Sequence, residues 1–296
     1  MFENKEIRLR NERFELRLAP DKGGSIAAFE HLDADGNRTP ILRSYATPEP
    51  TVLDMSSFPL VPYCNRIRDG RFHFRGCEVR LAANMAGDPS PLHGQGWLAP
   101  WQVEAGSEAS ATLIFRHDPG EWPWGYEARQ TLQLDDNGLA LGLSCRNLSD
   151  EPMPCGLGIH PYFLCTPATL LDTGVGDVWT VDEKLLPVER IAASGRYDLR
   201  QRLICGQELD NGYAGWSGKA TIHTPGTLFA IRMTSSDAHY FQVYSPVRGG
   251  FFAAEPVSHA NAALNEPEED WASLGIRILE PGNSLELSLR IDAVVE

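Results

Sequence analysis

Four short segments interrupt an otherwise regular apolar pattern, and each carries side chains able to hold a polar ligand or move a proton. The run Phe251-Phe252-Ala253-Ala254 ends in Glu255-Pro256, placing a carboxylate against apolar neighbours. A charge there is costly unless it is paired or used, although a strand-end Glu that reaches solvent would look the same. In Gly158-Ile159-His160-Pro161-Tyr162-Phe163, Pro161 restrains His160 to extended backbone. Its apolar surroundings point to a partly buried ring whose pKa can be tuned; a satisfied core histidine is the plain alternative. His93 lies in Pro91-Leu92-His93-Gly94-Gln95-Gly96-Trp97, a glycine-rich loop where backbone can approach a ligand closely. Trp97 beside it could supply a stacking platform for a sugar face, or the segment could be a turn whose histidine caps a carbonyl. Ahead of them, Phe58-Pro59-Leu60-Val61-Pro62-Tyr63-Cys64 leads irregularly into Asn65-Arg66. An amide and a guanidinium fork suit a polyhydroxy ligand; an Arg66–Asp69 surface pair fits equally well.

The elements that must position these groups read as short strands. From Tyr126 to Ser149, Ala128, Leu132 and Leu134 share one face while Arg129, Thr131 and Gln133 share the other. Leu139, Leu141, Leu143 and Cys145 then alternate in a second arm. Period-two alternation with one apolar face marks half-buried antiparallel strands, and Asp136-Asn137-Gly138 between them predicts a type I′ turn. The same rhythm appears at Phe14, Leu16 and Leu18, at Phe72 and Phe74 with Val79 and Leu81 around Arg75-Gly76, after Pro225-Gly226, and at Leu285, Leu287, Leu289 and Ile291. No long segment sustains a 3.6-residue period; short helical turns are expected near Thr51–Ser57 and Glu266–Ala272. Gly and Pro, 27 and 21 residues, are scattered rather than clustered, as many strands joined by turns require. The expectation is an all-β chain, a large antiparallel β-sandwich or barrel in a single domain over residues 1–296.

Composition narrows the partners. With 296 residues, 42% hydrophobic and 22% charged, the chain can bury a sizeable core without metal or disulfide staples. A net charge of −14 repels phosphate backbones and anionic lipid, so neither nucleic acid nor membrane is an expected partner, whereas a neutral ligand meets no penalty. No apolar stretch reaches membrane-spanning length and the N-terminus lacks the apolar run of a secretory signal, so a cytoplasmic location is expected. The cysteines at 64, 77, 145, 155, 165 and 205 form no Cys-x-x-Cys pair and read as buried thiols. No histidine spacing supports a metal site. A monomer or weak homodimer is expected, since nothing in the sequence predicts an interface.

Taken in order, Asn65-Arg66-Ile67, Leu92-His93-Gly94, Gly158-Ile159-His160-Pro161-Tyr162-Phe163 and Glu255-Pro256 resemble the aldose 1-epimerase (galactose mutarotase) family. The resemblance spans most of the chain. It implies a β-sandwich of the galactose-mutarotase type (a supersandwich) with an open sugar cleft, and cofactor-free interconversion of the α and β anomers of a free aldose such as galactose or glucose. It assigns His160 as general acid and Glu255 as general base, with Asn65, Arg66 and His93 binding substrate. Leu209-Asp210-Asn211-Gly212-Tyr213 resembles the family segment whose aspartate holds sugar hydroxyls, which adds Asp210. His160, with an ordinary pKa of about 6.5, would keep a proton beside a carboxylate. Pro-Val-Ser-His-Ala-Asn after Glu255 departs from the best-known galactose enzymes and leaves the sugar open. Three other readings stand: a mutarotase for phosphorylated sugars using some of Arg66, Arg68, Arg71, Arg75 and Arg80; a non-catalytic carbohydrate-binding protein; and a glycoside hydrolase pairing Asp210 with Glu255.

Overall fold

A computed structural model describes residues 6–44, 47 and 49–295. The strands assemble into two large antiparallel sheets and several smaller ones. The nine-stranded sheet runs, in spatial order, Arg202–Leu203, Leu170–Thr173, Lys219–His223, Ala230–Thr234, Ser284–Val294, Gly138–Asn147, Tyr126–Leu134, Ser110–His117 and Gln102–Gly106. The second sheet runs Pro187–Ala192, Asp177–Val181, Leu209–Ala214, Tyr240–Ser245, Phe251–Val257, Gly158–Ile159 and Pro59–Leu60, and Tyr162–Leu164 also pairs with Phe251–Val257. A four-stranded sheet from the first 40 residues carries Phe14, Leu16 and Leu18, all fully buried. One apolar cluster joins these layers: Leu141, Leu143, Leu287 and Leu289 of the nine-stranded sheet share it with Tyr213, Phe241, Val243 and Phe252 of the second. Helical structure among the described residues is limited to short turns, including Val52–Asp54 and Glu268–Asp270 where the sequence places them. The fold is therefore an all-β antiparallel sandwich.

The long hairpin forms as its alternation dictates, with Leu134 opposite Leu139 and Ala128 opposite Cys145. Its turn differs from the expected type I′. Asn137 does not adopt a positive φ; instead the Asp135 carboxylate accepts the amides of Asn137 and Gly138 at 2.9 and 3.1 Å. Gly138 is needed for packing, because a Cβ there would lie 2.1 Å from the Ile291 carbonyl of the neighbouring strand. The type I′ geometry occurs at Arg75-Gly76, where φ values of 51° and 81° close the Arg71–Phe74 and Cys77–Arg80 hairpin. The thiols also differ from expectation. Cys64, Cys145, Cys155 and Cys165 are buried, but Cys205 is half-buried and Cys77 is exposed on that hairpin edge.

Register in the second sheet separates two faces. Tyr213, Phe241, Ala254 and Phe252 face the core, while the alternate residues Asp210, Gly212, Gln242, Tyr244, Ala253 and Glu255 share the opposite face. Tyr162 joins that face by pairing with Ala253. The alternation that fills the core thus presents a polar row on the other side of the same three strands.

Candidate active site

That polar row is the floor of a cleft of about 410 Å³, within the range of small-molecule sites. Gln242 stands opposite Glu255 in register and donates from Nε2 to Asp210 Oδ1 at 2.7 Å. Gly212, also opposite Gln242, leaves room for that amide; a Cβ would stand 3.2 Å from its Oε1. Asp210 is half-buried, whereas Glu255 is only 2% exposed.

His160 enters from the wall, in the bend between Gly158–Ile159 and Tyr162–Leu164. Its amide donates to the Phe58 carbonyl at 3.0 Å, and its ring is held between Phe58 and Tyr162, with both centroid separations 4.6 Å. This places Nε2 3.1 Å from Glu255 Oε1. Nδ1 is buried with no hydrogen-bond partner among the described residues.

Two loops build the other wall. The amide of Asn65 donates to His93 Nδ1 at 3.0 Å, and the amide of His93 donates back to the Asn65 carbonyl at 3.0 Å. Both residues are left-handed, with φ of 59° and 61°. The first bond fixes the His93 tautomer: Nδ1 accepts, so the neutral ring carries its proton on Nε2 and is a donor there. Arg66 does not pair with Asp69. Its Nε binds Asp88 Oδ2 at 2.8 Å and its Nη1 reaches Asn65 Oδ1 at 3.2 Å, so guanidinium and amide act as one polar unit on the cleft. Of the five clustered arginines, Arg66 alone lines the cleft; Arg68, Arg71 and Arg75 border other surface depressions, and Arg80 binds Glu78. Trp97 is not an open stacking platform. It is 1% exposed, donates to the Leu92 carbonyl, and packs edge-on under His93.

His259 is a structural bolt. Its Nε2 accepts the Cys64 amide at 2.8 Å, so Nδ1 carries the proton donated to the Ala260 carbonyl, also at 2.8 Å. The loop that presents Asn65 is thereby anchored to the end of the Glu255 strand. Gly156 makes room for this ring, since a Cβ there would lie 1.9 Å from His259 Cδ2.

Burial dominates the electrostatics. It pushes His160 down to about 3, and the nearby Arg43 adds to that shift. It pushes Glu255 well above the usual carboxylate range, reinforced by the charge of Asp210 and opposed by Arg66. Burial also lowers His93, and raises Asp210 against the opposing pull of Arg66 and Gln242. Isolated charges are disfavoured on both groups, and the pair holds one proton between them.

The sequence reading missed Arg43, Gln242, Tyr244, Arg248 and Phe251, all of which line the cleft. Gln242 and Tyr244 alternate with Phe241 and Val243, so a polar face was visible, but nothing in the chain said what that face adjoined. Arg43 carried no local signal. No cluster of three or more His, Cys, Asp or Glu able to hold a metal occurs among the described residues.

A profile of the aldose 1-epimerase family matches residues 5–292. The chain belongs to the aldose 1-epimerase family. Among its relatives is the uncharacterized protein YphB of Escherichia coli K12, 33% identical over 284 residues, covering 92% of this chain and 94% of YphB. A crystal structure from the same organism, provisionally assigned as an aldose 1-epimerase, superposes with a TM-score of 0.89 at 30% identity over 99% of both chains. A galactose mutarotase-like protein from Clostridium acetobutylicum shares the fold, with a TM-score of 0.86 at 19% identity over 99% of this chain and 96% of its own. The sandwich is thus of the galactose-mutarotase type. Asn65, Arg66, His93, His160, Asp210 and Glu255, drawn from separate segments of the chain, all line the same cleft of this aldose 1-epimerase family member.

Proposed function

We propose that the protein is an isomerase that interconverts the α and β anomers of an aldose, with His160 and Glu255 as the acid–base pair. The 3.1 Å approach of two buried titratable groups on a cleft floor carries this reading. Ring opening needs a proton taken from the anomeric hydroxyl and one given to the ring oxygen. His160 gives its proton to the ring oxygen as the C1–O5 bond breaks, and Glu255 takes the proton of the hydroxyl on C1, which becomes the aldehyde. The pair begins and ends with one proton, now moved from His160 to Glu255. Rotation about C1–C2 exposes the other carbonyl face, and reclosure runs the transfers backwards. The starting form, imidazolium beside carboxylate, is net neutral like the resting pair; at 3.1 Å the opposite charges attract by about 5 kcal/mol at an effective dielectric of 20, which offsets part of the burial penalty. Asn65, Arg66, His93 Nε2 and Asp210 hold the hydroxyls and limit the sugar to poses that present C1 to the pair.

The test is polarimetry or magnetisation-exchange NMR on freshly dissolved α-galactose and α-glucose. We expect faster approach to equilibrium, falling by a factor of about 10²–10⁴ in Glu255→Gln and in His160→Asn, with sugar binding largely kept. Wild-type rates in either variant would remove that residue from the acid–base role, and binding without any acceleration would favour a non-catalytic carbohydrate-binding protein.

A further inference from the structure

The geometry points to an anion-recognising end of this cleft: we infer that the preferred aldose carries a phosphate or carboxylate on the carbon farthest from C1, held by Arg43 and Arg248. This inference rests on the mutarotation reading for the placement of C1 and deepens it by naming the substrate class. Both guanidiniums stack on Phe251, at 4.7 and 4.9 Å from its ring centroid, and Arg43 also lies 3.9 Å over the Tyr162 ring. The aromatic rings orient the two cations. Neither has a carboxylate within ion-pairing distance among the described residues. Among the described residues, the Arg43 guanidinium is tethered through Nη2, to the carbonyls of Leu53 and Met55 at 2.7 and 2.9 Å. Burial pushes its pKa down, opposed by Tyr162 and the Asp54 carboxylate and reinforced to a smaller degree by the neighbouring Arg248. The two adjacent cations repel one another, and an anion bound between them would relieve that repulsion through charge-assisted hydrogen bonds. The acid at this end, Asp54, lines the cleft, but one of its oxygens is occupied by the amide and hydroxyl of Thr51, each at 2.8 Å.

Position supports the same assignment. The His160 ring is 4.6 Å from the Tyr162 ring, which is 3.9 Å from the Arg43 guanidinium carbon. A hexopyranose laid along these rings with C1 at the His160–Glu255 pair turns its far end toward Arg43 and Arg248. Arg66, at the other wall, is already neutralised by Asp88.

The experiment compares glucose, glucose 6-phosphate and glucuronate with wild type and Arg248→Gln; Arg248 is exposed, so its removal spares the fold, whereas loss of Arg43 would free the Leu53–Met55 loop. Exchange NMR should give kcat/KM at least tenfold higher for one of the anionic sugars than for glucose. That preference should shrink at least tenfold in Arg248→Gln. Preference for the phosphate or for the carboxylate identifies which anion the pair takes. Turnover of glucose with no advantage for either anionic sugar, or an advantage unchanged by Arg248→Gln, overturns the inference and leaves the mutarotase reading standing. Binding is measured separately by calorimetry. If no sugar is turned over, the mutarotase reading falls, and tighter binding of an anionic sugar than of glucose, weakened in Arg248→Gln, still supports the basic end, while equal or absent binding overturns it.

Discussion

Gly156→Ala tests whether the site is held from behind by His259. Gly156 has no positive φ, so alanine suits its backbone and would ordinarily stabilise by about 0.4–1 kcal/mol through the unfolded chain. Here the new methyl would sit 1.9 Å from His259 Cδ2 and 2.5 Å from Nε2. The ring must move, which costs about 1–3 kcal/mol as overpacking. Moving it breaks the 2.8 Å bond from the Cys64 amide and leaves a buried donor unpaired, for about another 1–3 kcal/mol. Urea unfolding should therefore show a loss of about 2–5 kcal/mol. The assay that isolates the cause is a double-mutant cycle with His259→Ala. With the ring gone, the methyl enters vacated space, and Gly156→Ala should be neutral or mildly stabilising, giving a coupling of at least about 2 kcal/mol. The same loss in both backgrounds, or a change within 0.5 kcal/mol in wild type, would refute the argument that this glycine exists to seat His259.

Further outcomes follow from the same geometry. The pH profile of kcat/KM should be flat through pH 6.5, where a free imidazole titrates: burial holds His160 down to about 3 and Glu255 well up, so the pair keeps its single proton across neutral pH. An acid limb with its midpoint near 6.5 would contradict the shared-proton pair. Asn65→Gly should keep stability to within about 0.5 kcal/mol, because glycine accepts φ of 59°, whereas Asn65→Ala should lose about 1–2 kcal/mol. Both should raise KM, and an unchanged KM in Asn65→Gly would remove its amide from the sugar site. His259, pushed down to about 4 by burial, stays neutral in the native state over a pH range where the unfolded chain binds a proton. Its contribution is therefore fully present above pH 6.5 and lost as pH falls toward 4, up to about 3 kcal/mol. Denaturant titrations at pH 7 and pH 4 should show that extra acid sensitivity in wild type relative to His259→Gln.

What was legible in the chain was whatever repeats locally. Leu139, Leu141, Leu143 and Cys145 declare a buried face because period two is a property of neighbouring residues, and all four are buried as expected. Glu255 was legible for the opposite reason: a carboxylate after four apolar residues contradicts its own segment. Contacts across the sheet were not legible. His259 binds the amide of Cys64, 195 positions away. Arg43 stacks on Phe251, more than 200 positions on. The Asn137-Gly138 turn misled because Asp135 supplies side-chain acceptance that competes with the backbone conformation Asn-Gly favours. Trp97 misled because a large ring near glycines looks available until its indole N–H is found bonded inside.

The electrostatics of the floor and the rigidity of the wall serve one end. On the proposed reading, a buried pair that keeps a single proton exchanges protons with its substrate, so the two transfers of ring opening balance inside the cleft. That balance is useful only where both sugar oxygens lie within hydrogen-bond reach of the pair together, which demands little play in the sugar or the walls. Left-handed backbone is tolerated by asparagine at Asn65 but costs about 1–2 kcal/mol at His93, and it persists because reciprocal amide bonds join the two loops and His259 bolts one of them to the strand carrying Glu255. The polar wall is thus tied covalently and by hydrogen bonds to the strand that supplies the carboxylate. Loosening that tie should reduce catalysis in Gly156→Ala through the placement of Asn65, even though position 156 touches neither the sugar nor the proton-transferring atoms.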